Sequence, residues 1–278
     1  MSSIAEGALL DTRVADAPAW QRWYLRNERL VYGLAGFVSV VVLWEFAVSQ
    51  GWLRAAFISS PTRILNAARI EIEQGRIWGD IGVSLLEFAL GFLVAGVLGV
   101  LIGLVGGWFK RANYVLDPWL AALYATPDVA LVPLIILVLG IGIPAKVFVV
   151  FLTSLFSVAV NTLVGVQSTD ARMLEVALSF RASRMTIFRT VVLPSTIPYI
   201  LTGLRLASGR ALVGVVLAEL IASNQGIGFM INVAGATLNT ARLMVGVLLL
   251  GIFGIVLGEV MRRVEQRFEV WRPNPHGP

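Results

Sequence analysis

The chain has no cysteine, and its one histidine, His276, stands among the last three residues. The first absence removes disulfides and thiolate metal sites. The second leaves an imidazole only in a tail, where it reads as incidental rather than catalytic. Charge is scarce as well: 14% of residues are Asp, Glu, Lys or Arg, against about 25% in a typical soluble domain. With 57% hydrophobic residues and a mean hydropathy of +0.81, there is too little polar side chain to cover a globular surface. A bilayer is the natural solvent. No GxxxxGKS or GxxxxGKT phosphate loop occurs; the nearest look-alike, GGWFKR at 106–111, has neither the spacing nor the hydroxyl. No metal-ligand cluster, nucleophile with base or paired carboxylates stands out, which argues against a membrane enzyme and against a cofactor. There is no internal repeat and no chain of ionisable residues of the kind that proton-coupled transport requires. The opening MSSIAEGALLDTRVADAPAW lacks a basic start followed by an apolar core, which argues against a cleaved signal peptide.

What is present is a series of apolar runs. A spanning helix needs about 20 mostly apolar residues, and six runs qualify: about Leu30–Val48, Ile81–Gly107, Pro118–Gly140, Ala145–Val166, Ile197–Ala222 and Ala241–Met261. The stretches facing one side hold fourteen Lys and Arg, among them Arg26, Arg29, Lys110, Arg111, Arg184 and Arg262; those facing the other hold six, including Arg54, Arg76, Lys146 and Arg242. The bias places both termini in the cytoplasm. The net charge of +5 then reads as a cytoplasmic marker rather than a nucleic-acid surface. The chain divides into a cytoplasmic segment 1–29, a six-helix transmembrane domain 30–262 and a cytoplasmic tail 263–278. Trp20, Trp23 and Tyr24, interleaved with Arg22 and Arg26, suggest an interfacial helix in the first of these.

The connections carry their own signals. On the outer side, SPTRILNAARIEIEQG has Ser60 as cap, Pro61 at the first helical position, a stripe of Ile64, Leu65, Ala68 and Ile72, and Gly75 as stop. It predicts an extracytoplasmic helix over 61–74 packed on the outer ends of the spans. In span two, Gly91, Ala95, Gly99, Gly103 and Gly107 recur every four residues, a ridge that lets helix backbones approach closely. That ridge serves internal packing or holds two copies together. The cytoplasmic loop 167–195 is the odd piece: Ser168, Thr169 and Asp170 suit an N-cap for a helix through about Phe180, and Ser183 suits a second. Met173, Leu174, Ala177 and Leu178 give the first helix an apolar face too short to span. It docks on a partner protein or rests on the inner-leaflet lipid.

Five charged positions within the spans complete the reading. Glu45, Glu87 and Glu219 fall toward the outer ends of their spans, where they reach the interface or pair locally. Arg210 and Asp128 lie near the middle of spans five and three. A charge at the bilayer centre costs about 2.5–3.5 kcal/mol on insertion scales, so each should face the bundle and find a partner. Equal depth makes them partners for one another; alternatively Arg210, with Arg205 below it, supplies positive potential along an anion path.

The cytoplasmic loop resembles the EAA loop of bacterial ABC-importer permeases: Glu175-Val176-Ala177, then Arg181, then Val191, then Leu193-Pro194 at the family's spacing. Arg181 replaces the usual glycine. SPTRILNAARIEIEQG, ATPDVALVPLIILVLGIG, LPSTIPYILTGLRLASGRALVGVVLAEL and the closing RFEVWRP resemble the nitrate/sulfonate/taurine-type branch, from about span one to the C-terminus; Glu87 stands where many relatives have a basic residue. The resemblance implies an all-α type I importer fold and an alternating-access permease working as a pair of copies. It implies a coupling helix seated in a separate cytoplasmic ATPase subunit, with Glu175, Val176, Ala177, Arg181, Leu193 and Pro194 as coupling residues, and an extracytoplasmic solute-binding protein. Pro194 and Pro198 suggest a break between the docking helix and span five. The implied cargo is a small anion such as nitrate, a sulfonate or taurine, with vitamin precursors or aromatic acids as alternatives. A secondary transporter independent of ATP is the other class.

Overall fold

A computed structural model of the chain describes residues 19–54 and 57–267. His276 and most of the RFEVWRP stretch lie outside the described residues, as do the side chains of Trp20, Arg22 and Arg26 on which the interfacial reading rests. The chain separates into two compact units, Met1–Asn66 and Ala67–Pro278.

The first unit holds α1 (Ala19–Ser49) and the opening of α2 (Pro61–Glu73). Phe37, Val40 and Leu43 of α1 are exposed, as suits a helix whose solvent is lipid. Glu45 turns to the start of α2, where it accepts bonds from the Thr62 amide (3.0 Å) and hydroxyl (2.8 Å). A carboxylate at a helix N-terminus satisfies orphan amides and complements the dipole. The expected apolar stripe on α2 is only partly used: Ile64 is buried, whereas Leu65 and Ile72 are exposed. At the other end of α2, in the second unit, Glu71 is buried and takes Arg242 at 3.0 Å. That end is seated by an ion pair rather than by the stripe.

The second unit continues with α3 (Arg76–Trp108), α4 (Lys110–Ala125), α5 (Asp128–Leu139), α6 (Ile143–Gln167), α7 (Ala171–Ser179), α8 (Arg184–Ala222), α9 (Ile227–Ala236) and α10 (Thr240–Arg267). The glycine ridge of α3 lies against α6. A Cβ on Gly91, Gly99, Gly103 or Gly107 would stand 2.4–2.7 Å from the Cβ of Val150, Val158, Thr162 or Val166 in turn. Both sets of numbers rise together, so α3 and α6 are parallel. Against α8 the order reverses: Gly165 meets Thr196 and Tyr199, while Gly214 meets Val150 and Thr153. α6 is therefore the centre of the bundle, with 61% of its apolar window buried against 28% for α3 and 33% for α8.

Parallel α3 and α6 require the intervening chain to cross back once. That crossing is α4 plus α5, bent by 100° at Thr126–Pro127, so span three is not the continuous helix expected over Pro118–Gly140. The cause is local: a proline disfavours helical backbone in the residue before it, and Thr126 is extended at φ −75°, ψ 130°. Asp128 is consequently the first residue of a half-helix rather than the middle of a span. The expected break between the docking helix and span five lies at Phe180–Ser183, not at Pro194 or Pro198. Arg184–Ala222 runs as one helix of 39 residues. A π-helical turn over Phe188–Val192 ends one residue before Pro194, with Leu193 N–H bonding back to Phe188 C=O. Widening the helix by one residue per turn makes room for a ring that cannot donate.

Candidate functional site

Three places on this scaffold carry polar or partner-seeking chemistry, and α8 links them. At the cytoplasmic end, Asp170 caps α7 by accepting from Arg172 N–H (2.8 Å) and Ser183 caps α8 by accepting from Thr186 N–H (3.2 Å). Between them α7 ends in a Schellman turn, with Ala182 N–H bonding to Ala177 C=O (3.1 Å) and Arg181 N–H to Leu178 C=O (2.8 Å). Arg181 occupies the left-handed position at φ 55°. The tight turn is therefore formed despite the missing glycine, and Arg181 carries the cost, about 1–2 kcal/mol for an L-residue. Arg181→Gly should stabilise this turn by up to about 1 kcal/mol once glycine's extra freedom in the unfolded chain is offset. Slower amide exchange in the last turn of α7 would register it, and faster exchange would mean that the Arg181 side chain holds the turn.

The expected apolar face of α7 is split. Leu174 and Ala177 pack inward on Val166, Ile187 and Val192, together with Trp108 of α3. Met173, Val176 and Phe180 form a second stripe at helical spacing that is exposed, and Leu178 and Met185 are exposed beside it. Ala177 thus faces its own chain, and Val176 belongs to the free face. Glu175 is exposed; Leu193 and Pro194 are half-buried inside α8.

Within the bundle, Arg210 reaches Asp128 at 3.2 Å, and its guanidinium lies 5.0 Å over the Tyr124 ring. α4, α5 and α8 thus meet at the helix break, about 18 Å along α8 from its outer end at 1.5 Å per residue. Asp128 sits in the first turn of α5, where a carboxylate is favoured by the helix dipole. Arg210 donates one hydrogen bond to Asp128, out of five N–H groups, and its side chain is 36% exposed. It can hold a second acceptor without leaving Tyr124. Arg205 is not brought to this place: it pairs with Glu265 of α10 at 3.0 Å.

At the outer end lies a buried polar knot, of which reasoning from the sequence foresaw local pairing of Glu87 and Glu219 as one alternative but not the partners. Glu87 and Glu219 have no exposed surface, and Lys146, counted from the sequence as an outer loop charge, is buried in the first turn of α6. Lys146 pairs with Glu87 and donates to Ser223 Oγ at 2.9 Å. Ser84 Oγ donates to Glu219 at 2.6 Å. Neither glutamate reaches the interface. The available signal was Asp80, Ser84 and Glu87 at helical spacing on one face of span two.

Residues 95–270 match the model of a family described as "Binding-protein-dependent transport system inner membrane component". The chain is 32% identical over 238 residues to SsuC of Bacillus subtilis (strain 168), a permease protein named for aliphatic sulfonates transport, covering 86% of each chain. It is 28% identical over 255 residues to the taurine transport system permease protein TauC of Escherichia coli (strain K12), covering 90% of this chain and 92% of that one. Among solved structures it is similar to the MetNI methionine ABC transporter in inward-facing conformations, with a TM-score of 0.61 and 14% identity over 69% of this chain and 95% of that one.

Proposed function

Because the chain belongs to the family of binding-protein-dependent transport system inner membrane components, we propose that it moves a small anion such as nitrate, a sulfonate or taurine, powered by a separate ATPase subunit. Its class, a multi-pass permease subunit of an ABC importer, follows from the family and the helical fold. The proposal adds the cargo, the partners and the coupling route.

One observation carries it. The single helix α8 bears Ile187 and Val192, packed on α7, at one end and Arg210 in its interior. An ATPase subunit gripping the exposed face of α7 would therefore pull on the same rigid element that presents a guanidinium at the helix break. The seated face is apolar with a charged rim of Arg172, Glu175 and Arg181, which suits a protein groove. An anion fits Arg210 because a sulfonate or carboxylate takes two parallel N–H groups of a guanidinium. A second copy of the permease, an extracytoplasmic binding protein that delivers and selects the solute, and lipid around α1 complete the working assembly.

The test is reconstitution in proteoliposomes with the ATPase subunit and the binding protein, scored with labelled taurine and alkanesulfonates. Uptake should require ATP and both partners. Uptake at an unchanged rate by the permease alone would make it an ATP-independent transporter.

A further inference from the structure

The buried knot at the outer end does more than fill space. Three successive amides at the start of α9 each bond to a side chain from another helix. Gly226 N–H donates to Asp80 (2.9 Å), Ile227 N–H to Ser84 Oγ (2.9 Å) and Gly228 N–H to Glu219 (2.6 Å). The preceding Ser223 caps only Gln225 N–H, at 3.2 Å. A ten-residue apolar helix needs its first amides satisfied, but a local Ser, Asp or Asn would suffice. Here the acceptors come from α3 and α8, and Glu219 is wholly buried, an expensive way to cap a helix.

The glycines are shaped to the same contact. A Cβ on Gly226, at φ 118°, would stand 2.1 Å from Glu219 Oε1, and one on Gly228 would stand 2.8 Å from Glu219 Cβ. The amide end of α9 can approach the carboxylate only because both residues lack a side chain. Two cavities open beside the strap that leads into it. One, of about 400 Å³, is lined by Asp80, Gln225 and Phe229; the other, of about 230 Å³, by Lys146, Ser223 and Gln225. Asn224 and Gln225, just ahead of the anchored amides, line both.

We propose that Asp80, Ser84 and Glu219 form the latch of the outer gate, holding the amide end of α9 on α3 and α8, and that this end lets go when the transporter opens outward. The inference rests on the importer reading. Glu219 rides on α8, the helix joined to the α7 seat, while Asp80 and Ser84 ride on α3, so a shift of α8 against α3 loads the Ser84–Glu219 bond directly. Lys146 and Glu87 sit behind the latch as a neutralised pair, so release hydrates groups that are stable in water.

The chain contains no cysteine, so Ile227→Cys introduces a single thiol at a site 3% exposed. The permease–ATPase complex carrying it is treated with a membrane-impermeant charged maleimide from the outside, first without nucleotide and then trapped with ATP and vanadate. The latch requires labelling at least about tenfold faster in the trapped state, the mark of a shifted open population. Adding Ser84→Ala should raise labelling in the resting state while the trapped rate stays the same. A thiol equally shielded in both states overturns the latch, as does a Ser84→Ala variant that folds and labels like its parent. Vanadate-sensitive ATP hydrolysis, scored in the same samples, reports separately on the importer reading; a permease that leaves the ATPase subunit's hydrolysis unchanged defeats that reading and the latch with it.

Discussion

Arg210→Ala is expected to abolish uptake, and removing its partner at the same time is expected not to restore it. In the structure Arg210 and Asp128 neutralise one another across the break between α4 and α5. Losing either alone leaves a charge inside the bundle without its partner, which costs on the order of 2.5–3.5 kcal/mol where the site is dry. Each single variant should therefore insert poorly or melt early. Arg210→Ala with Asp128→Ala removes both charges, so folding and ATP hydrolysis should recover. Uptake distinguishes the two roles of the guanidinium. If it also binds the anion, the double variant hydrolyses ATP without moving solute. If the pair is structural only, the double variant transports. Normal transport by Arg210→Ala alone would contradict both.

The second large effect falls on α7. Val176 belongs to the exposed stripe with Met173 and Phe180, whereas Ala177 packs inward on Val166, Ile187 and Val192. Val176→Asp should leave membrane insertion and melting unchanged but weaken binding of the ATPase subunit by about thirtyfold, the roughly 2 kcal/mol that an apolar anchor contributes at the centre of an interface. Ala177→Asp should act differently. It places a carboxylate against the molecule's own inner cluster, lowers stability by about 2–3 kcal/mol and unseats α7 from α8. Co-purification and thermal melting, measured on both variants, separate docking from seating. A Val176→Asp permease that assembles and couples normally would move the docking surface elsewhere.

Much of this arrangement is legible in the residues. Hydropathy alone locates the apolar helices, because a bilayer imposes a length and an apolar run satisfies it, though it misses the polar starts of span three at Lys110 and span five at Arg184. The caps at Asp170 and Ser183 follow from short polar side chains before helix-forming sequence. The glycine spacing in span two announces a close backbone approach, though only the structure names Val150, Val158, Thr162 and Val166 as what it approaches. The rest depends on features that a window average erases. Pro127 breaks span three, yet the sequence is apolar on both sides of it. Pro194 and Pro198 read as breakers, but a π-helical turn absorbs the first and the helix continues. The outer knot was hidden for another reason: its acceptors lie on α3 and α8, and the amides they meet lie about 140 residues from Ser84 along the chain. Lys146 reads as an outer-loop charge, and Glu87 and Glu219 fit an interface position or local pairing equally until their partners are seen. Ala177 shows the same limit at the other end, since a nine-residue helix with apolar side chains all round does not declare which stripe faces its own bundle.

The central proposal is that α8 transmits motion as one rigid element from the α7 seat to Arg210. It is tested most directly by softening the helix between those points without touching either. Arg189 and Thr190 are exposed within the π-helical turn, away from the inner cluster. Replacing both with glycine costs about 1 kcal/mol per residue in helix propensity and leaves the docking stripe and the Arg210 site in place. The measurement is the ratio of solute moved to ATP hydrolysed in proteoliposomes containing the full complex. A rigid coupling helix predicts that the variant assembles and hydrolyses ATP while that ratio falls toward zero. A wild-type ratio from the Gly-Gly variant would show that the force reaches the transport path by another route.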